Sequence, residues 1–441
     1  MVTIILMPEV KTVTVSLALA IALCSSLPGA ADIVDPSTLD HKVLVGYQGW
    51  FTCPSDGSGR WTHWSRGVPT PETLTVELYP DVSELDPDEL CEIPGMTVAG
   101  KPAYLFSSRN QKTVSRHFRW MRDYGLDGVL VQRFVGEIRR KQQDGDVVLR
   151  NIMKAAAESG RTFAIEYDIS GGNADIFAQT FEDDWRYLVD DVKVTSHANY
   201  QRHNDKPVVS VRGMGLNDGD AHPPADPKVA LNLIRWFKSE APPKYHATYM
   251  GGTPAHWSSL TADSRSDPAW AGVYAAMDVV QPWNVGRYGT LAAVDKWRSD
   301  VLAPDVNTAA ANQQIYMPVV FPGFSWHNLK QGAKENQIPR LGGELLWRQA
   351  YNAKMAGATV LKIAMFDEVD EGTAILKAVP HRNQAPDQGY WLTLDADGNE
   401  LPNDWYLRLA GEITRMFHGD IPPDAKMPAN PLPAAKPKGG R

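Results

Sequence analysis

The chain has 441 residues, of which 43% are apolar and 22% are charged, a composition that can bury a large core. The formal net charge of −8 and the sequence pI of about 5.8 argue against nucleic acid and against an anionic membrane surface as partners. The 14 Trp and 15 Tyr serve either as core or as stacking surfaces for sugars and other flat ligands.

Residues 1–31 have the pattern of an export signal. Lys11 precedes the apolar run VTVSLALAIALCSSL, which is too short for a membrane span, and the small residues at 29–31 offer a cleavage site. We therefore expect a secreted or periplasmic protein with no stable membrane insertion after cleavage.

Two cysteines, Cys53 and Cys91, remain after that cleavage, and an exported protein can join them in one disulfide. Two separate buried thiols are the alternative. No C-x-x-C or His-rich spacing suggests a metal site, and we expect no cofactor.

Strand-like and helix-like segments alternate regularly along the rest of the chain. Strands are predicted at 43–51, 128–135, 161–170, 206–213, 245–252, 279–286, 314–324 and from 360, and helices at 113–124, 146–159, 174–194, 227–240, 269–277, 291–302, 343–356 and 401–417. Eight strand–helix units predict an α/β fold, a (β/α)8 TIM barrel. We expect one domain over 32–421 with a long loop at 52–111, followed by a disordered tail at 422–441 that is rich in Pro, Ala and Lys.

The most informative stretch is 360–375, VLKIAMFDEVDEGTAI, in which an apolar strand turns abruptly acidic. Four carboxylates, Asp367, Glu368, Asp370 and Glu371, occupy five positions. The C-terminal ends of barrel strands form the active face, and crowded carboxylates raise the pKa of at least one member. One protonated and one ionised carboxyl group are what acid/base cleavage of a glycosidic bond requires. A solvated acidic loop is the alternative.

The other predicted strand ends carry aromatic, amide and acidic side chains that would face the same cleft. Besides Asp367, we select as candidate substrate-binding residues Tyr47, Gln48, Trp50, His63, Trp64, Arg133, Tyr167, Asp168, Tyr249, Trp283 and Trp326. Such a lining suits a neutral, hydroxyl-rich ligand, a poly- or oligosaccharide, better than a nucleotide. Alternatively, Tyr47 and Trp50 belong to the core, and Arg133 and the strand-end Arg212 form structural ion pairs with Glu166 or Asp168.

The segment 366–373, FDEVDEGT, resembles the Phe-Asn-Glu-Trp-X-Glu-Gly-Thr type motif of glycoside hydrolase family 99, the endo-α-mannosidase family. The segments VGYQGWF and GRWTHW resemble that family's first strand and loop. The resemblance extends to the broader family 71/99-like group, often labelled xylosidase/arabinosidase-like, and spans most of 41–418.

This resemblance implies a (β/α)8 barrel that hydrolyses α-glycosidic bonds. It implies that Glu368 is the base toward the substrate's own 2-hydroxyl, which attacks the anomeric carbon through an anhydrosugar intermediate. It implies that Glu371 is the acid that protonates the leaving oxygen and later activates water. Tyr47 and His63 fall where the family lines its sugar subsites.

The chain departs from the family motif at three positions. The family's Asn is Asp367 here, its Trp is Val369, and Asp370 adds a charge. The anhydrosugar route therefore does not carry over automatically, and the residues themselves support only a carboxylate pair. A direct nucleophile needs a separation of about 5–5.5 Å and an inverting pair about 6.5–9.5 Å, which the sequence leaves open.

The resulting expectation is a secreted glycoside hydrolase that cleaves α-linked glycans, with retention as the expected outcome. A non-catalytic glycan-binding barrel with the same aromatic mouth is the alternative. A barrel hydrolase of another ester or amide would want a metal cluster or a Ser or Cys nucleophile with a base, and neither is evident.

Overall fold

The computed structural model describes residues 33–219 and 221–433. The predicted signal peptide, residues 1–31, lies outside the described residues. Within the described part of the chain, no helix is long and apolar enough to cross a membrane.

The elements follow the predicted alternation. The strands are β1 Val43–Tyr47, β2 Leu90–Val98, β3 Lys101–Phe106, β4 Gly128–Phe134, β5 Thr162–Asp168, β6 Arg202–His203, β7 Lys206–Arg212, β8 Thr248–Gly252, β9 Val279–Val280, β10 Ile315–Tyr316, β11 Val319–Val320 and β12 Leu361–Ile363. The helices are α1 Gln111–Asp123, α2 Ile138–Ser159, α3 Phe177–Tyr187, α4 Pro227–Arg235, α5 Ala269–Ala275, α6 Leu291–Trp297, α7 Ala303–Ala311, α8 Glu344–Met355 and α9 Trp405–His418.

Parallel pairing runs in the order β10-β9-β8-β7-β5-β4-β1-β12-β11. The two ends of this order, β10 and β11, are halves of the predicted seventh strand and are separated only by Met317 and Pro318. The Met317 N–H donates to the Val280 carbonyl on one side (2.9 Å), and the Pro318 carbonyl accepts from the Lys362 N–H on the other (2.9 Å). The interrupted strand thus closes the sheet, and the predicted (β/α)8 barrel is confirmed.

The strands form because they are apolar on both faces, as expected for parallel strands covered by helices. All five residues of β1 are buried, as are all seven of β5. Packing is tight where β1 meets the segment after β12: a Cβ atom on Gly46 would lie 2.1 Å from the sulfur of Met365. A larger residue at position 46 would displace the end of the Met365 side chain, two residues before the acidic cluster begins.

The long loop between β1 and α1 is more ordered than the prediction of a plain loop. It contains the antiparallel hairpin of β2 and β3, and a disulfide joins Cys53 to Cys91, with the two Cα atoms 6.2 Å apart. The alternation of buried Cys91 and Ile93 with exposed neighbours was present in the sequence as a strand signal. Pro94 and Gly95 within the strand obscured it.

The predicted disorder of the tail is wrong for residues 422–433. The Asp424 carbonyl accepts the indole N–H of Trp347 on α8 (2.9 Å), and the Leu432 N–H donates to Glu412 on α9 (3.2 Å). This stretch has no regular secondary structure, so its composition suggested disorder although its backbone is bonded to the domain. Residues 434–441 lie outside the described residues.

Candidate active site

The turn after β12 is anchored first by Asp367. Its two carboxylate oxygens accept the backbone N–H groups of Gln48 (2.7 Å) and Gly49 (2.9 Å), so the end of β1 is bonded to the start of the acidic cluster. The side chain is completely buried. Burial raises its pKa to about 7 although these two donors oppose the shift. Asp367 is therefore a structural anchor and not the substrate-binding residue that was predicted.

Glu368 is held from two sides. Thr373 donates its hydroxyl to one carboxylate oxygen (2.5 Å), and the side-chain amide of Gln48 donates to the other. Burial raises the pKa of Glu368, while the hydrogen bond from Thr373, the charge of Arg212 and the hydrogen bond from Gln48 oppose that rise. These contacts fix the orientation of the carboxyl group and favour its ionised form.

Glu371 differs from the other three acids because it is only half-buried. Burial and the charge of Glu368 raise its pKa to about 8, against the opposing charge of Arg212. Its carboxyl group is therefore protonated at neutral pH and reachable from the cleft. This combination is what a general acid requires.

Asp370 lies between the two glutamates in the sequence but is nearly inaccessible. One of its carboxyl oxygens has no hydrogen-bond partner among the described residues. Burial and the charges of Glu368 and Glu371 raise its pKa well above the usual range. This shift favours the protonated form of Asp370, which reduces the repulsion within the cluster.

Two cations lie beneath the carboxylates. Arg212, at the end of β7, forms an ion pair with Asp168 and stacks on Trp283, with the guanidinium carbon 3.9 Å from the ring centroid. The charges of Glu368 and Glu371 both raise the pKa of Arg212, so the arginine acts on both acids. The alternative weighed from the sequence, that Arg212 pairs with Asp168, is what the structure contains.

The second cation, Lys362, was noted from the sequence only as an interruption of an apolar strand. It is completely buried inside the barrel, where it forms an ion pair with Glu166 and donates to the side-chain oxygen of Gln281 (3.2 Å). Burial lowers its pKa, and the charge of Glu166 opposes that shift. A lysine at the centre of a strand that is buried on both faces was the available signal for a site residue.

Four predicted substrate-binding aromatic residues, Tyr47, Trp64, Tyr167 and Tyr249, are completely buried. Their polar atoms are bonded internally: to His117 (2.9 Å), the Phe106 carbonyl (3.0 Å), Asp184 (2.8 Å) and the sulfur of Met214 (3.3 Å), respectively. These predictions are corrected, because a barrel fills its interior and its helix interface with large side chains. Strands that are buried on both faces show no hydrophobic periodicity, so the sequence could not separate core tyrosines from tyrosines that face the cleft.

Arg133 was also predicted to bind substrate, and its guanidinium is held in a buried ion pair. It makes two hydrogen bonds to Asp184 on α3 (2.6 and 2.5 Å) and one to Asp146 on α2 (3.3 Å). The alternative that Arg133 forms a structural ion pair is correct, but its partners are Asp184 and Asp146 and not Glu166 or Asp168. The acids that neutralise Arg133 come from helices packed outside the barrel.

Trp50 lies at the mouth and is partly exposed. The ring of His63 stacks on it with centroids 3.8 Å apart, and the ring of Phe134 stacks on it with centroids 5.1 Å apart. Beside this stack lies a cavity of about 90 Å³ whose lining also includes Gln48 and Arg133. Trp50 and His63 thus shape a wall next to the Gln48–Glu368 contact.

Trp283 and Trp326 are partly exposed. The Arg212 guanidinium stacks on Trp283, as described above. Trp326 packs on Phe324 with ring centroids 5.0 Å apart, and the Lys330 ammonium lies 4.5 Å from the Trp326 ring centroid. Of the predicted set, the structure therefore brings Gln48, Asp168 and Trp283 together with the two glutamates. In the part of the chain that is described, no cluster of three or more His, Cys, Asp and Glu side chains is arranged to hold a metal ion.

No protein-family model and no curated protein sequence matches this chain. Solved structures do match it: two of the family 99 endo-α-mannosidase from Bacteroides thetaiotaomicron are 18% identical, with a TM-score of 0.63, over 87% of this chain and 99% of theirs. A glycoside hydrolase-like protein is 14% identical, with a TM-score of 0.52, over 88% of this chain and 97% of its own. The resemblance to family 99 that the motifs predicted is therefore confirmed as a resemblance in fold across the whole described barrel.

Proposed function

We propose that this chain is a glycoside hydrolase that cleaves α-glycosidic bonds in a poly- or oligosaccharide. The observation that carries the proposal is the contrast between two neighbouring carboxyl groups. Glu371 is half-buried with its pKa raised to about 8. Burial also raises the pKa of Glu368, but hydrogen bonds from Thr373 and Gln48 and the charge of Arg212 oppose that rise. One proton donor and one carboxylate at the end of a barrel strand are the groups that glycoside hydrolysis needs.

In this mechanism Glu371 donates its proton to the glycosidic oxygen as the bond to the anomeric carbon breaks. Glu368 acts either as the base that takes the proton of the substrate's own 2-hydroxyl or as the nucleophile. Water then adds to the anomeric carbon as the bond to the 2-oxygen or to Glu368 breaks, and Glu371, now ionised, takes a proton from that water. On the first route Glu368 returns its proton to the 2-oxygen. Arg212 and Lys362 stabilise the negative charge on Glu368 throughout, since both lower its pKa. The likeness in fold to the endo-α-mannosidase supports an α-linked substrate.

We further propose that the protein acts outside the cytoplasm. The export pattern of residues 1–31 supports this location, as does the disulfide between Cys53 and Cys91, since such bonds persist in oxidising compartments.

The experiment is release of reducing sugar from a panel of α-mannans, α-glucans, xylans and arabinans by the wild type, Glu371→Gln and Glu368→Gln. Glu412→Gln is the matched control, because this buried glutamate lies on α9 and pairs with Arg415. We expect turnover of one polymer that falls by at least about 100-fold in both site variants and is kept in the control. Binding of a glycan without turnover in the wild type would favour the glycan-binding alternative. NMR spectra recorded during the reaction show which anomer is released first, and this anomer distinguishes retention from inversion.

A further inference from the structure

Another buried acid, Glu77, lies in the long loop between β1 and β2 and was not singled out in the sequence. Its side chain is completely inaccessible to solvent, so it cannot touch a substrate. One of its carboxylate oxygens accepts the hydroxyl of Ser325, and the other accepts the backbone N–H of Asn328 (3.0 Å). Both partners belong to the loop that follows β11.

Both loops, the one that carries Glu77 and the one that follows β11, are also bonded to the acidic cluster through their backbones. The N–H groups of Glu77 and Leu78 both donate to the carbonyl of Val369, at 3.1 and 3.2 Å. The N–H of Ser325 donates to the carbonyl of Glu371 at 2.8 Å. Glu77 therefore contacts the segment before Glu371 directly, and it contacts Glu371 itself through one intermediate residue.

The geometry at Glu371 leaves little room for adjustment. Gly372 has a φ of +62°, and a Cβ atom built there would lie 3.1 Å from the backbone nitrogen of Ser325. Arg340 also donates to the carbonyls of Gly372 (2.8 Å) and Ala374 (2.7 Å). The backbone at and just after Glu371 is thus bonded to both Ser325 and Arg340.

We propose that Glu77 is a positioning residue for Glu371, which it orients by holding Ser325 against the Glu371 carbonyl. The inference rests on the proposed function for the catalytic role of Glu371, although the contacts themselves do not. Replacing Glu77 with Gln keeps its size but turns one of its two acceptor atoms into a donor. If the amide oxygen keeps the Asn328 N–H, the amide nitrogen faces the Ser325 hydroxyl, which must then accept instead of donate, and the negative charge that strengthens this contact is lost.

The test compares Glu77→Gln and Ser325→Ala with Asp305→Asn. Asp305 is a matched control because it is also a buried carboxyl group that accepts a serine hydroxyl, from Ser258, but it lies on α7. On the polymer that the wild type cleaves, we expect kcat to fall by about 10- to 100-fold in the two test variants, with KM changed by less than about 3-fold. The same variants should lose much less on a glycoside whose leaving group needs no proton, because only the acid is displaced.

A second measurement does not depend on turnover. In protein labelled with ¹³C at the glutamate carboxyl carbon, the Glu371 resonance is identified by its loss in Glu371→Gln, and its titration gives the pKa of this group. We expect this pKa to change in Glu77→Gln and in Ser325→Ala but not in Asp305→Asn. If Glu77→Gln does not fold, as judged by circular dichroism, Ser325→Ala decides.

The outcomes separate the inference from the proposed function. A Glu371 titration in both test variants that matches the control would overturn the positioning role. A wild type without any turnover would overturn the proposed function, while the titration would still decide whether Glu77 orients Glu371. An equal loss on both kinds of glycoside would also refute the inference, because it would mark a general structural defect.

Discussion

The side-chain amide of Gln48, just after β1, donates to the carboxylate of Glu368, just after β12. These residues are 320 positions apart in the sequence and become neighbours because β1 pairs with β12 to complete the barrel. The pairing of β1 with β12 therefore also places a hydrogen-bond donor, the Gln48 amide, next to the proposed base, Glu368.

The first prediction concerns that contact. Gln48→Ala removes a hydrogen bond that lowers the pKa of Glu368, so the pKa of Glu368 should rise. The base must be ionised to work, so the acidic limb of the kcat/KM profile should move to higher pH and kcat at neutral pH should fall by about 10-fold. Thr373→Val should act in the same direction because Thr373 donates to the other oxygen. An acidic limb that stays in place in both variants would show that Glu368 is not the group that titrates there.

The second prediction concerns pH and stability. The folded-state pKa of Glu371 is about 8 against an ordinary 4.5, so the native state binds more protons than the unfolded state between these values. The free energy of unfolding should therefore decrease as pH rises from about 4.5 to about 8. Glu371→Gln removes this dependence. Calorimetry should find the variant more stable than the wild type at pH 8, and this difference in stability should shrink toward pH 4.5. An equal difference at the two pH values would contradict the raised pKa of Glu371.

The third prediction concerns Asp370, whose pKa is raised well above its ordinary value by burial and by the charges of Glu368 and Glu371. This shift favours the protonated carboxyl group, and Asp370→Asn replaces it with a neutral group of nearly the same shape. We expect less than about a 3-fold change in kcat and an alkaline limb in its original place, in contrast to the loss expected for Glu371→Gln. A large loss of activity would mean that Asp370 carries a charge or transfers a proton.

The fourth prediction concerns the disulfide. Cys53 and Cys91 enclose a loop of 38 residues, for which chain entropy predicts a contribution of about 4 kcal/mol to stability. The double variant Cys53→Ser/Cys91→Ser should lower the free energy of unfolding by about that amount. Mass measurement before and after thiol alkylation tests the bond itself, since the bonded pair takes up label only after reduction.

These sites also show what the sequence could predict. The alternation of eight strand-like and helix-like segments was enough to predict the barrel, and the crowded acids at 367–371 after a buried strand were enough to select the two glutamates as candidates. The roles of the neighbouring residues were not readable, because they depend on distant partners. Arg133 is neutralised by Asp184, 51 residues away on a helix, and Glu77 meets Ser325 across 248 residues. Burial on both faces of a strand likewise removes the periodicity that would separate a core tyrosine such as Tyr47 from one in the cleft.

The last prediction concerns the buried ion pair of Lys362 and Glu166, both of which are inaccessible to solvent. Lys362→Met leaves the Glu166 carboxylate without its cation, and breaking such a pair typically costs about 3–5 kcal/mol of stability. The double variant Lys362→Met/Glu166→Gln removes both charges and should recover most of that loss.

Activity should not recover with stability in this double variant. Lys362 also lowers the pKa of Glu368, and a methionine cannot replace that charge. The acidic limb of the kcat/KM profile should therefore stay at higher pH than in the wild type even when the melting temperature is restored. If stability and the wild-type pH profile both return in the double variant, the ion pair serves folding alone. If stability returns but the acidic limb stays at higher pH, Lys362 is one of the groups that keep Glu368 ionised.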